Sequence, residues 1–171
     1  MDGSTRVGIV RDTVVMSLTL GTIPIPHSDL ASMTVRAVAR DDITDLARVF
    51  HRAYQGTVDD EGETQLDAIN ELQKTMDGAY GEFDWPSSLV AEVDGFVVAA
   101  CLVTSWKDRP LLAFAVTIPE YQRRGIGGHL IHSSAVLLGE RGESELRLVV
   151  TSTNPSVSLY QQLGFRRVLE K

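Results

Sequence analysis

The run Gln122-Arg123-Arg124-Gly125-Ile126-Gly127-Gly128 concentrates much of the chemistry that this sequence can do. It stands between an apolar stretch and a helical pattern. A helix that starts there presents unpaired backbone N–H groups and the positive end of its dipole, and glycines let phosphate oxygens come close to the main chain. Arg123 and Arg124 add positive charge. The expectation is a phosphate or diphosphate site. A P-loop is excluded, because Gly128 is followed by His129 and not by Lys and Ser or Thr. A dinucleotide fingerprint needs a third glycine or alanine where Leu130 stands, and it needs alternating βαβ units that the hairpin region denies.

A second run, Asn154-Pro155-Ser156-Val157-Ser158-Leu159-Tyr160-Gln161-Gln162-Leu163-Gly164-Phe165, begins 27 residues after Gly127. Asn154 suits an N-cap, Pro155 a first helical position, and Gly164 a helix terminator.

Gln122, Gly125 and Gly127 occupy the fixed positions of Gln/Arg-x-x-Gly-x-Gly/Ala, and the segment resembles motif A of the GNAT superfamily of N-acetyltransferases. The second run resembles that family's other signature, an Asn after the fifth strand and a Tyr-x-x-x-Gly-Phe closing the next helix. The two motifs together carry the resemblance, which covers about 33–171 in element order. It implies an α+β fold, a central mixed and mostly antiparallel sheet flanked by helices, with splayed strands at the cofactor site. It also implies direct transfer of an acetyl group from acetyl-CoA to a primary amine of a small molecule or peptide.

In that reading the CoA pyrophosphate sits on the amides of Arg123, Arg124, Gly125, Ile126, Gly127 and Gly128. The pantetheine fills the gap between 111–117 and 145–151, so that Val116, Thr117 and Gln122 join the cofactor wall. A backbone N–H of the first strand faces the thioester carbonyl and stabilises its oxyanion, an effect often worth about 3 kcal/mol. Asn154 contacts the cofactor arm. Tyr160 touches the cofactor and is carried over as the general acid for the departing thiolate, its ordinary pKa of about 10 keeping it a donor at neutral pH.

Many members of the family place a glutamate on the strand before motif A, but Leu111-Leu112-Ala113-Phe114-Ala115-Val116-Thr117 holds no carboxylate. Something else must take the amine's proton. Asp59, Asp60 and Glu61 are chosen as candidates, since their loop borders the acceptor pocket in the family. Glu92, Asp108 and a water chain are the other options, and Glu120 reads as a surface turn residue. The missing carboxylate also suggests an alternative function, a non-catalytic acyl-CoA-binding sensor. His129 and His132 lack supporting Cys or acid spacing, so no metal is expected. Cys101 lies in an apolar strand and reads as core, and Trp85 and Trp106, which flank strands, read as core or rim packing in preference to a pocket lining.

The elements that must position these groups follow from periodicity. Helices are expected from Asp41 or Asp42 to Tyr54, over Glu63–Met76, Gly125–Leu138 and Pro155–Leu163. Strands are expected over Thr34–Val38, Ser88–Val93, Phe96–Trp106, Leu111–Ile118, Glu145–Thr151 and Phe165–Leu169, with Asp94-Gly95 as a hairpin turn and Lys107–Pro110 as another. The strand 111–118 is so apolar that burial on both faces is expected. Residues 1–32 read as an N-terminal extension with short extended pieces, and the acetyltransferase domain as 33–171.

Composition bounds the rest. The 171 residues fit one compact domain, or one domain with an appendage, and 43% hydrophobic residues suffice for a core. The net charge is −7, yet the window 59–84 holds nine acids and only Lys74 as a base, so it carries −8 and the rest sums to +1. Such a chain is poorly suited to nucleic acid, which binds through neutralised phosphates. A single cysteine forbids an intrachain disulfide, and the longest apolar run, 96–103, is too short to cross a membrane. With no secretory signal read at the N-terminus, the expectation is a cytoplasmic protein, without membrane or nucleic-acid partners, whose sheet edges a second copy could cover as a homodimer.

Overall fold

The computed structural model describes residues 12–21 and 31–169. Among them, strands β1 (Thr13–Thr19) and β2 (Met33–Ala37) come first, then helices α1 (Ile43–Tyr54) and α2 (Gln65–Met76). Strands β3 (Leu89–Val93), β4 (Phe96–Trp106) and β5 (Arg109–Thr117) follow, then helix α3 (Ile126–Glu140), strand β6 (Glu145–Thr151), helix α4 (Ser156–Gln162) and strand β7 (Arg166–Val168). The sheet order is β2-β3-β4-β5-β6-β1-β7, and all neighbours are antiparallel except β5 and β6. This is the mixed, mostly antiparallel sheet with flanking helices that the sequence implied.

The hairpins form where the local chemistry asks for them. Asp94 and Gly95 take φ of 51° and 79°, the left-handed pair that matches the twist of a two-residue turn. The β4–β5 turn is tighter than expected, because Lys107 and Asp108 alone take φ of 50° and 58°, and β5 already begins at Arg109. α1 buries Leu46, Ala47, Val49 and Phe50, a stripe at helical spacing. Asp42 does not cap α1 with its side chain. Its carboxylate accepts from the Ala39 N–H at 2.7 Å and from both ends of the Arg36 guanidinium at 2.8 Å, and Arg36 holds its pKa below the usual carboxylate range.

Helices cover both faces of the sheet. Cys101 on β4 contacts Ser134 of α3 at 3.3 Å, whereas Phe114, paired with the adjacent Leu102, meets Phe50 of α1 with ring centroids 5.0 Å apart. Neighbouring residues of a strand point to opposite faces, so α1 and α3 sandwich the central strands. Leu130, Ile131, Ala135 and Leu138 of α3 are fully buried.

Two expectations are corrected. The first drew the domain from residue 33 and left 1–32 as an extension. Residues 13–19 instead form β1 inside the sheet, paired with β6 along seven residues and with β7 along three, and Met16 and Leu18 lie in the core. Residues 1–11 and 22–30 lie outside the described residues. The second expected 111–118 to be buried on both faces. Ala113, Phe114 and Ala115 are half-buried, because β6 diverges from β5 at that point and opens a cleft. Among the described residues no helix is long and apolar enough to cross a membrane.

Candidate active site

The cleft originates in strand register. β5 and β6 pair at Leu111↔Arg147 and Leu112↔Leu148, then separate, so that Ala113–Thr117 and Val149–Thr151 become facing walls. At the divergence β5 carries a bulge: Leu102 pairs with Phe114 and Val103 with Leu112, leaving Ala113 as the extra residue. A bulge re-aims the backbone, here beside the cleft. The space has a volume of about 1150 Å³.

One part of the cleft lining is the glycine run. The Gln122 side-chain amide donates to the Thr117 carbonyl at 3.0 Å and fastens the loop to the end of β5. Arg123 and Gly125 both take left-handed φ, 60° and 81°, which turns the chain sharply into α3. Gly125 is the N-cap, and glycine fits there because it carries no Cβ to clash. The amides of Ile126, Gly127 and Gly128 then stand in the first turn of α3, where a helix has no acceptor of its own to offer. Gln122, Arg123, Gly125, Ile126, Gly127 and Gly128 line the cleft together with Val116 and Thr117. Arg124 does not. Its guanidinium lies 5.0 Å from the centre of the Tyr121 ring.

Another part of the lining comes from α4 and the loop after α1. Asn154 caps the approach to α4, its side-chain oxygen accepting from the Ser156 N–H at 2.8 Å. Tyr160 lines the cleft with its ring against Phe165, and burial, helped by nearby Cys101 and Asp59, pushes its phenol up to about 12. Asp59 reaches the same place from the opposite side. Its carboxylate accepts from the Asn154 side-chain amide at 2.6 Å and from the Thr151 hydroxyl at 2.9 Å.

The three acids read together as candidates are therefore separated by the fold. Asp59 is half-buried and lines the cleft. Asp60 and Glu61 are exposed and do not line it. Asp60 accepts from the Gly56 and Gly62 amides, which hold its pKa low and stitch the loop together. The remaining options also lie elsewhere: Glu92 is paired with Arg36, Asp108 sits in the exposed β4–β5 turn, and Glu120 pairs with Arg52 at the surface. Cys101 is buried, and its thiol is pushed up to about 12 by burial. Trp85 meets Phe83 edge to face, the Lys107 ammonium lies over the Trp106 ring, and neither tryptophan lines the cleft.

Sequence reasoning missed Tyr54 and Thr151 as site residues. Tyr54 ends α1, lines the cleft, and has its phenol pushed well up by burial and by Tyr160 and Asp59. Its ring lies 6.0 Å from that of Phe50, one helical turn earlier. That i, i+4 aromatic pair at the end of α1 was the available signal. Thr151, at the end of β6, gave none.

A family model described as an acetyltransferase (GNAT) domain matches residues 84–167. The fold resembles a GCN5-related N-acetyltransferase from Sphaerobacter thermophilus, with a TM-score of 0.72 and 21% identity over 92% of this chain. This chain spans about half of that protein, 49% of its length. It also resembles the PaiA N-acetyltransferase from Thermoplasma acidophilum in complex with coenzyme A, with a TM-score of 0.63 and 20% identity over 79% of this chain and 90% of that one. A third is the ribosomal-protein-S18-alanine N-acetyltransferase from Escherichia coli, with a TM-score of 0.63 and 22% identity over 80% of this chain and 79% of that one. The matched segment 84–167 runs through β5, α3, β6 and α4, the elements that make the cleft's two walls and its glycine-lined turn, and this segment is thus similar to an acetyltransferase domain of the GNAT family.

Proposed function

We propose that the protein is an acetyl-CoA-dependent N-acetyltransferase that moves the acetyl group directly onto a primary amine of a small molecule or peptide. One observation carries the reading: a single cleft is lined by a glycine-rich helix start, a carboxylate and a phenol. The coenzyme A complex of the PaiA relative, itself an N-acetyltransferase, supports the cofactor.

The donor set suits acetyl-CoA. The first-turn amides of α3, with Arg123 beside them, match a pyrophosphate. The edges of β5 and β6 that face each other across the cleft offer peptide groups to an amide-bearing arm, and such groups need partners when shielded from water. Around the bulge at Ala113 the β5 main chain supplies the N–H that takes up charge on the thioester oxygen. Asp59 holds the acceptor as an ammonium and takes one proton from it, which frees the nitrogen lone pair. The new C–N bond forms as the C–S bond breaks, and Tyr160 gives its phenolic proton to the departing sulfur. The acylated nitrogen loses its second proton to solvent, Asp59 releases the proton it took, and one proton returns from solvent to Tyr160. Desolvation keeps Tyr160 protonated throughout the physiological range, as a proton donor requires.

Thermal denaturation with and without acetyl-CoA tests the cofactor, since a ligand bound only to the native state raises the Tm. Thiol release against a panel of primary amines tests the reaction. Stabilisation without thiol release for any amine would favour the sensor suggested by the carboxylate-free strand β5, and absence of both would remove the reading.

A further inference from the structure

The Asp59 carboxylate is fixed by groups far along the chain. Thr151 and Asn154 stand on the cofactor wall, at the end of β6 and just before α4, and both donate across the cleft mouth to the loop after α1. Their own placement is tightly specified. Thr151 pairs with Thr13 of β1, the Asn154 N–H donates to the Thr151 carbonyl at 2.9 Å, and the Asn154 side-chain oxygen is taken up by the Ser156 amide. The neighbouring acids turn back on their loop, Asp60 to the Gly56 and Gly62 amides and Glu63 to the Glu61 amide. Donors from two separate positions on the cofactor side thus hold this one carboxylate in place. Fixing a charged group before the ligand arrives removes the cost of ordering it at that moment.

We propose that Thr151 is a positioning residue for the acyl acceptor: with Asn154 it clamps Asp59 at the cleft mouth, so that the site selects a cationic amine over a neutral nucleophile. This rests on the acetyl-transfer reading. The clamp acts before chemistry, on acceptor capture, and it joins the acceptor loop to the strand and helix start that border the cofactor. An acceptor that is already neutral has no charge for the fixed carboxylate to meet.

The test uses the full chain, saturating acetyl-CoA, and two small acceptors near neutral pH: n-butylamine, which is cationic, and hydroxylamine, which is neutral. Thr151→Val, which keeps the shape and removes the hydroxyl, is expected to raise the KM for n-butylamine about tenfold while kcat changes by no more than about threefold. Thr151→Ser restores the KM. The loss with hydroxylamine is at least about threefold smaller, and the Kd for acetyl-CoA measured by calorimetry moves less than about twofold, as expected when the altered hydroxyl donates to Asp59 and the residue's backbone on the cofactor wall is unchanged. Asp59→Asn, which leaves β6 untouched, shows the same discrimination between the two acceptors. Equal losses for both acceptors, an unchanged KM for n-butylamine, or Thr151→Ser as impaired as Thr151→Val would overturn the clamp while leaving acetyl transfer standing. No thiol release by the unaltered protein with either acceptor or any other amine overturns both readings together.

Discussion

At the scale of single residues, the proposed mechanism uses two side chains of the cleft lining, Asp59 and Tyr160, whose environments differ. Tyr160 is nearly buried, and water is excluded from its phenol, which raises its pKa from about 10 to about 12. Tyr160→Phe is expected to lower kcat by about 10²-fold, the lower range for a positioned acid, with the Kd for acetyl-CoA within about twofold. An unchanged kcat takes Tyr160 out of the chemistry. The same shift has a sign for stability. Above pH 10 the unfolded chain loses this proton first, while the native state keeps it up to about pH 12, so stability falls across that window and is unaffected below it. At about 1.4 kcal/mol per pKa unit the loss is of the order of 2–3 kcal/mol. Urea melts at pH 9 and pH 12 should show a smaller alkaline decrease for Tyr160→Phe than for the parent. Asp59 makes the contrasting case among carboxylates. Asp59→Asn should reduce kcat/KM for a cationic amine at least about tenfold more than Asp60→Asn or Glu61→Gln, since a charge-assisted contact to the substrate is lost only there. Equal effects in the three variants would return the question to the whole loop.

At the scale of elements, each helix start reports how local its instructions are. Thr64 caps α2, accepting from the Asp67 N–H at 3.1 Å while the Asp67 carboxylate accepts from the Thr64 N–H at 2.7 Å. Thr64→Ala should cost about 1 kcal/mol, readable as a lower urea midpoint with unchanged slope. α3 starts differently, from Gly125 at φ 81°, where any other residue adds left-handed strain of about 1–2 kcal/mol. Gly125→Ala should therefore lower the Tm and also weaken acetyl-CoA binding, because the strain is relieved by moving the amides that hold the anion. These local features are also the ones that sequence alone reveals. The bounds of β4 and β6 coincide with the strands expected over 96–106 and 145–151, and Gly125 and Gly164 mark helix ends as expected. What sequence alone does not reveal is fixed by distant partners. Nothing within Asp59-Asp60-Glu61 tells which acid will face Asn154, and nothing in Thr13–Thr19 tells that it will lie between β6 and β7.

For the whole molecule, net charge and strand order both change meaning once the acids and β1 are placed. Much of the −8 segment is paired or capping surface: Asp77 with Arg40, Asp84 with Arg141, Asp67 at the start of α2. Of its acids, Asp59 alone lines the cleft among the described residues, so a cationic acceptor is favoured by one placed carboxylate more than by the bulk field. β1 matters more for integrity. It is the strand through which β7 joins the sheet, and Thr13 pairs with Thr151 beside the cleft mouth. Without it β6 has an open edge, and Met16 and Leu18 leave the core, each worth about 1.5–3 kcal/mol in burial alone. Lost strand pairing and an unsupported β7, which follows the helix bearing Tyr160, add to this, against a total stability of about 5–15 kcal/mol for an ordinary domain. Met16→Ala should cost about 2–5 kcal/mol and still melt cooperatively. Removing residues 1–21 should abolish the cooperative urea transition and, with it, stabilisation by acetyl-CoA. A truncated chain that still melts in one sharp step at the parent's midpoint would restore the domain boundary at Met33 and make β1 an accessory.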